Sequence, residues 1–338
     1  MSGGARTYGS RYIFGHIDRT TISVKLRANL TFTPNLTLEG YAEPFVASGA
    51  YSRVGELVAP RSADPAVGAE SRAQAAQLLV VLGQLPEEQR EAFVLQRPII
   101  AMDWRGYGLT ESPITDSYWF PDYLGDLDAL LDQLYPGQAI DLVGHSMGGN
   151  VVMMYAGTRP ERIRRLVNLE GFGMPATRPA QAPGRMGQWL DELKAQRGGS
   201  NDLKPYADAA GVAARLMKTN QRLGQDKATW LAQHWAQPGS DGQWRILGDA
   251  AHKVINPYLF HVDEALEMYR RIAAPVLAVE ASDDSLGMWW KGKYTLAEFH
   301  ERLQAVPVLE KATIQDAGHM LHHDQPQTLA AMIEKFTR

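Results

Sequence analysis

From Thr21 to Phe32 apolar and polar residues alternate with period two. Ile22, Val24, Leu26, Ala28, Leu30 and Phe32 are separated by Ser23, Lys25, Arg27, Asn29 and Thr31. That spacing gives a strand with one dry and one wet face. Thr33-Pro34-Asn35 is a turn signal, and Leu36, Leu38, Gly40 and Ala42 resume the alternation, so a long hairpin is predicted. Helical spacing follows between Ser71 and Gln96. Leu78, Leu79, Val81 and Leu82 predict one amphipathic helix, and Leu85 to Leu95 a second, with Pro86 in its first turn and Glu87 and Glu88 near its positive end.

From Pro98 onward strands and helices alternate. Strands are predicted at Ile99–Met102, Ala139–Val143, Ile163–Leu169, Pro275–Val279 and Ala312–Ile314, with helices at Tyr123–Leu134, from Val151 and at Gln325–Phe336. Such alternation implies an α/β fold with a mostly parallel sheet and right-handed crossovers. From Gly171 to about Arg270 the pattern turns helical and loop-rich. The expected division is therefore an atypical segment at 1–97, an α/β core at 98–170 and 271–338, and a helical cap at 171–270.

Composition narrows the function classes. The net charge of -4 and the absence of any basic run argue against nucleic acid as a partner. With no cysteine, disulfides, thiolate catalysis and Cys-ligated metals are excluded. No apolar run reaches the roughly 20 residues of a membrane helix, and Met1 to Ser10 lack an apolar signal core, so a cytoplasmic protein is expected. The hairpin, with aromatics Tyr12, Phe14, Phe32, Tyr41 and Phe45 near its strand ends, resembles one from an outer-membrane β-barrel. One hairpin cannot close a barrel, so no membrane partner is expected. Leu85 to Leu95 resembles the start of the promoter-binding region of extracytoplasmic-function sigma factors. No recognition helix follows it, so DNA binding is not expected.

The candidate chemistry centres on Gly144-His145-Ser146-Met147-Gly148, between a predicted strand and a predicted helix. A serine flanked by small residues on a tight strand-to-helix turn is lifted clear of the sheet, with the next residue's N–H aimed where a carbonyl oxygen would become negative. Ser146 is the candidate nucleophile and the Met147 backbone the candidate oxyanion donor. A serine hydroxyl needs a base, and imidazole titrates near neutrality. His319, a short Gly-containing loop beyond the last strand, is the candidate. His145 packs within the turn, and His322 and His323 lie just beyond His319 without established metal-ligand spacing, so no metal is expected.

Three motifs in order, Asp103-Trp104-Arg105-Gly106-Tyr107-Gly108, Gly144-His145-Ser146-Met147-Gly148-Gly149 and Asp316-Ala317-Gly318-His319, make Pro98 to Arg338 resemble an α/β-hydrolase. The resemblance implies a serine hydrolase without cofactor, acting through a Ser-His-acid triad on a small apolar carboxylic ester, lactone or related acyl compound. A catalytically impaired hydrolase-like protein and a cofactor-free perhydrolase are the alternatives. The family's usual acid follows the Val276–Val279 strand, where Asp284 is preferred over Asp283. Some relatives, notably haloalkane dehalogenases, place it one strand earlier, at the position of Glu170. His145, Trp104, Trp189 and Trp230 are candidate pocket residues. The family's second oxyanion donor is usually announced by His-Gly, a dipeptide this chain lacks. Gly55 to Pro60 is the expected substitute strand, with Arg61 to Asp64 as its loop.

Overall fold

A computed structural model of the chain describes residues 100–110 and 115–338 in full, and before them the backbone of five strands. The chain divides into two units, Met1–Ala75 and Ala76–Arg338.

In the first unit β1 (Tyr12–Ser23) pairs antiparallel with β4 (Phe45–Leu57), and β2 (Leu26–Thr33) with β3 (Leu36–Ala42). Ser23 pairs with Phe45 and Leu26 with Ala42, so the second ladder takes up the register of the first. The hairpin predicted around Pro34 is therefore present at β2 and β3. The single strand expected from Thr21 is divided between β1 and β2. Gly55, expected to open a substitute strand for the hydrolase core, pairs instead with Phe14 inside this unit.

The second unit is built on β5 (Leu79–Val81), β6 (Ile100–Ala101), β7 (Ile140–His145), β8 (Ile163–Leu169), a small ribbon of β9 (Ala236–Pro238) and β10 (Trp244–Ile246), β11 (Val276–Ala281) and β12 (Leu309–Ile314). Six strands form a parallel sheet in the order β12-β11-β8-β7-β5-β6. Leu79 to Val81, predicted as helix, is a strand between β6 and β7, with Leu79 level with both Ile100 and Leu142. Strands buried on both faces are continuous apolar runs rather than alternating ones, so Leu-Val-Val suits a central strand. The predicted helix at Leu85 to Leu95 lies outside the described residues.

Period two sorts the strand residues between two cores. Leu142, Leu166 and Val276 join a cluster on one face, with Tyr123, Leu127 and Leu131 of the helix Phe120–Leu134 and Val151, Val152 and Tyr155 of the helix Met147–Thr158. Val143, Val167 and Leu277 point the other way, onto Leu321 and the closing helix Pro326–Thr337 through Leu329 and Ile333. The chain runs outward from β5 to β6 and returns on the other side of β5 as β7. In open parallel sheets ligands bind at such a reversal, outside the carboxyl ends of the strands, and Ser146 lies there, directly after β7.

Between β8 and β11 lie the helices Ala182–Arg197, Ala209–Thr219, Gln225–Trp235 and Val262–Arg270, with the β9–β10 ribbon. This insert has a core of its own, with Val212, Leu223, Ala228 and Leu231 buried together.

Candidate active site

Ser146 closes the turn from β7 into the helix Met147–Thr158 with φ of 53°, a left-handed value that costs a residue bearing a Cβ about 1 to 3 kcal/mol. Backbone bonds hold it there: its N–H donates to the Leu169 carbonyl at 2.8 Å, and its own carbonyl accepts from Asn150 N–H at 3.1 Å. Two glycines let the turn close. A Cβ on Gly144 would lie 2.3 Å from the Gly148 carbonyl oxygen, and one on Gly149 would lie 2.4 Å from Asn168 Oδ1.

His319 follows β12 on a loop secured by Gly318 N–H donating to Asp324 Oδ2 at 2.8 Å. Its Nε2 is 2.9 Å from Ser146 Oγ, and its Nδ1 is 3.1 Å from Glu170 Oε2. Glu170 leaves β8 with φ of 54° and is buried. Its Oε1 accepts from Ala281 N–H at 2.7 Å, so both oxygens are engaged. Asn168 clasps the turn that presents it, accepting from Gly171 N–H and donating to the Gly171 carbonyl, each at 2.9 Å.

Glu170, the acid one strand earlier, is thus the carboxylate facing His319, and the preference for Asp284 is corrected. Asp284 Oδ1 instead accepts from Gly287 N–H at 2.8 Å, capping the helix Ser285–Trp290. Asp283 is held by the Arg222 guanidinium at 2.9 and 3.2 Å. Capping and pairing satisfy both aspartates outside the site.

His145 sits beside His319, its Nε2 2.7 Å from the His319 carbonyl oxygen. Burial, and secondarily the neighbouring His319, pull its pKa down to about 3. The ring is therefore neutral, and Nε2–H is the donor that fits a carbonyl. His322 and His323 are buried, and their rings stand edge-on with centroids 4.4 Å apart. Among the described residues no three His, Asp or Glu side chains gather as metal ligands.

The remaining pocket candidates separate. Trp104 is buried in the core, edge-on to Tyr123 at 5.5 Å. Trp230 packs on the insert's core and stacks on His234 at 3.7 Å. Trp189 is half-buried on the helix Ala182–Arg197. Sequence reasoning missed Trp289, whose ring centroid lies 4.3 Å from that of His319. The signal was present: Met288-Trp289-Trp290 is a bulky apolar run that begins four residues beyond Asp284, the second of two aspartates after a strand end.

Residues 83–326 match the family described as the alpha/beta hydrolase fold. The chain belongs to that family. It is 25% identical to a serine hydrolase-like protein of Danio rerio over 252 residues, which cover 70% of this chain and 72% of that protein. It is 23% identical over 244 residues to an sn-1-specific diacylglycerol lipase of Mus musculus, covering 71% of each. The crystal structure of a hypothetical protein from Pseudomonas aeruginosa PAO1 superposes with a TM-score of 0.65 at 24% identity, covering 78% of this chain and 90% of that one. These likenesses agree with the parallel sheet, and the relatives' names support a hydrolase. Among the described residues no helix is long and apolar enough to cross a membrane.

Proposed function

We propose that the chain is a serine hydrolase of small, apolar carboxylic esters or related acyl compounds, with Ser146, His319 and Glu170 as its catalytic triad. The observation that carries this is the hydrogen-bonded line from Ser146 Oγ through His319 to Glu170, ending on a carboxylate with no further oxygen to spare. Ser146 Oγ attacks the substrate carbonyl while its proton passes to His319 Nε2. Glu170 keeps the imidazole oriented and stabilises the imidazolium that forms. The tetrahedral oxyanion receives the Met147 N–H. The intermediate collapses, the C–O bond to the alcohol breaks, and the departing oxygen takes the proton from His319. Water then attacks the acyl-Ser146 ester with His319 again as base, releasing the acid and the serine hydroxyl.

The last residue of β5, Val81, pairs with Gly144, two residues before the nucleophile, so the sheet has a central strand beside the turn that carries Ser146. The presence of β5 removes one support of the impaired reading, the loss of a central strand; the other, the lack of a His-Gly oxyanion loop, is tested by turnover. The insert at 171–270 is proposed as the cap over the core formed by 98–170 and 271–338. The ester preference draws on the diacylglycerol lipase relative as well as on the triad.

The test is hydrolysis of a short-chain p-nitrophenyl ester. The parent protein should show a burst of one nitrophenolate per chain before the steady state where deacylation limits turnover. Ser146→Ala should lose the burst and about 10⁴-fold or more in kcat. Equal turnover by both proteins would rule the reading out.

A further inference from the structure

Trp289 belongs to neither core, yet it stands against the base. It lies one residue before the end of the short helix Ser285–Trp290, which is fixed at its start by the Asp284 cap and by buried Ser285 and Leu286. The indole is 48% exposed, and neighbouring Met288 is 62% exposed. Its ring lies 4.3 Å from the His319 imidazole at 84°, and 6.5 Å from Phe172, two residues beyond Glu170, at 69°. A rigid, half-open aromatic surface therefore flanks the imidazole, next to a mobile thioether side chain of the kind that adapts to varied apolar shapes.

Position assigns the half of the substrate it meets. In the proposed triad chemistry, on which this inference rests, His319 Nε2 hands its proton to the departing oxygen. That oxygen must come within hydrogen-bond reach of Nε2, so the carbon attached to it passes the groups flanking the imidazole. Trp289 is such a group. We propose that Trp289 is a specificity-determining residue that forms, with Met288, the wall of the leaving-group subsite and selects substrates whose alcohol portion is apolar, aryl or alkyl.

The alcohol is absent from the acyl-enzyme, which gives a test specific to this side of the site. Two esters of one acid, methyl and benzyl, are compared in the parent and in Trp289→Ala. The kcat/KM ratio of benzyl over methyl should fall about tenfold in the variant, the scale expected when a pocket loses an apolar contact. The deacylation rate of the common acyl-enzyme should stay within about twofold, as expected for a contact made only before the alcohol leaves. A readout that does not depend on the variant's folding uses the parent alone. By microscopic reversibility its acyl-enzyme should partition to added benzyl alcohol at least about ten times better per mole than to methanol. An equal loss for both esters, slowed deacylation, or no preference between the two alcohols would overturn the assignment. Ester hydrolysis by the parent that survives Ser146→Ala would instead remove the triad reading, and this inference with it.

Discussion

Glu170 and Asp284 differ less in chemistry than in what already occupies their oxygens. Glu170 gives one oxygen to the Ala281 N–H and the other to His319, whereas Asp284 spends its carboxylate on a helix N-terminus. Glu170→Gln keeps the shape and removes the charge, so the imidazole loses both its orientation and its counter-charge. An expected fall in kcat of about 10⁴ follows from the equivalent change in serine proteases. Asp284→Ala should leave kcat within a few-fold while removing a cap worth about 1 kcal/mol of stability. Steady-state hydrolysis and thermal unfolding of the two variants check this pair. Ser146 and His319 were legible in the sequence because each sits in a motif with its own backbone reason. The carboxylate that faces His319 was not, because Asp283 and Asp284 stand together where a carboxylate is expected. Their capture by Arg222 and by Gly287 N–H depends on contacts that no spacing reports.

At the scale of elements, the strand-to-helix turn and the turn after β8 are one packed unit. Gly149 lies against Asn168, and Asn168 holds Gly171, so the helix after Ser146 supports the turn that presents Glu170. Gly149→Ala would place a Cβ 2.4 Å from Asn168 Oδ1 and 2.9 Å from Gly171 Cα. It should cost about 1 to 3 kcal/mol in denaturant unfolding, the usual size of overpacking. It should also lower kcat, because the relief moves Asn168 and with it Glu170. The longer strands of the sheet and its main helices were readable from apolar runs and helical spacing. β5 was not. Three residues are too few to show a period, and the apolar flanks Leu78 and Leu82 place residues at helical spacing around a strand core.

In the whole molecule the insert is tied to the α/β core at several places, Lys227 donating to the His323 carbonyl and Arg197 pairing with Asp116 among them. Arg222 bridges Asp283 and Asp316 on the loops around His319. At the other end His252 is stacked between Tyr107 and Tyr118, each 3.9 Å away, and Tyr118 donates to Asp249 at 2.8 Å. Beneath His319 the buried rings of His322 and His323 make the fold sensitive to acid. Burial, and secondarily the Lys227 ammonium, hold His323 down to about 4, and burial with neighbouring histidines holds His322 well below its ordinary value. An unfolded histidine titrates near 6.5, so between about pH 6.5 and 4 the unfolded chain binds protons that the folded chain refuses. Stability should therefore be flat above about pH 6.5 and fall as the pH drops below it, by about 3 kcal/mol for His323 alone by pH 4. Melting temperatures should decrease from pH 7 to pH 5, and His323→Phe should flatten that decline. A melting temperature independent of pH over this range would show that these rings charge freely in the folded protein.

The most direct measurement is covalent labelling of the full chain with a fluorophosphonate, followed by mass mapping of the modified peptide. The triad requires rapid, stoichiometric labelling at Ser146 that is abolished by Ser146→Ala and strongly slowed by Glu170→Gln. Labelling at another residue, or none on a folded and monodisperse protein, would contradict it.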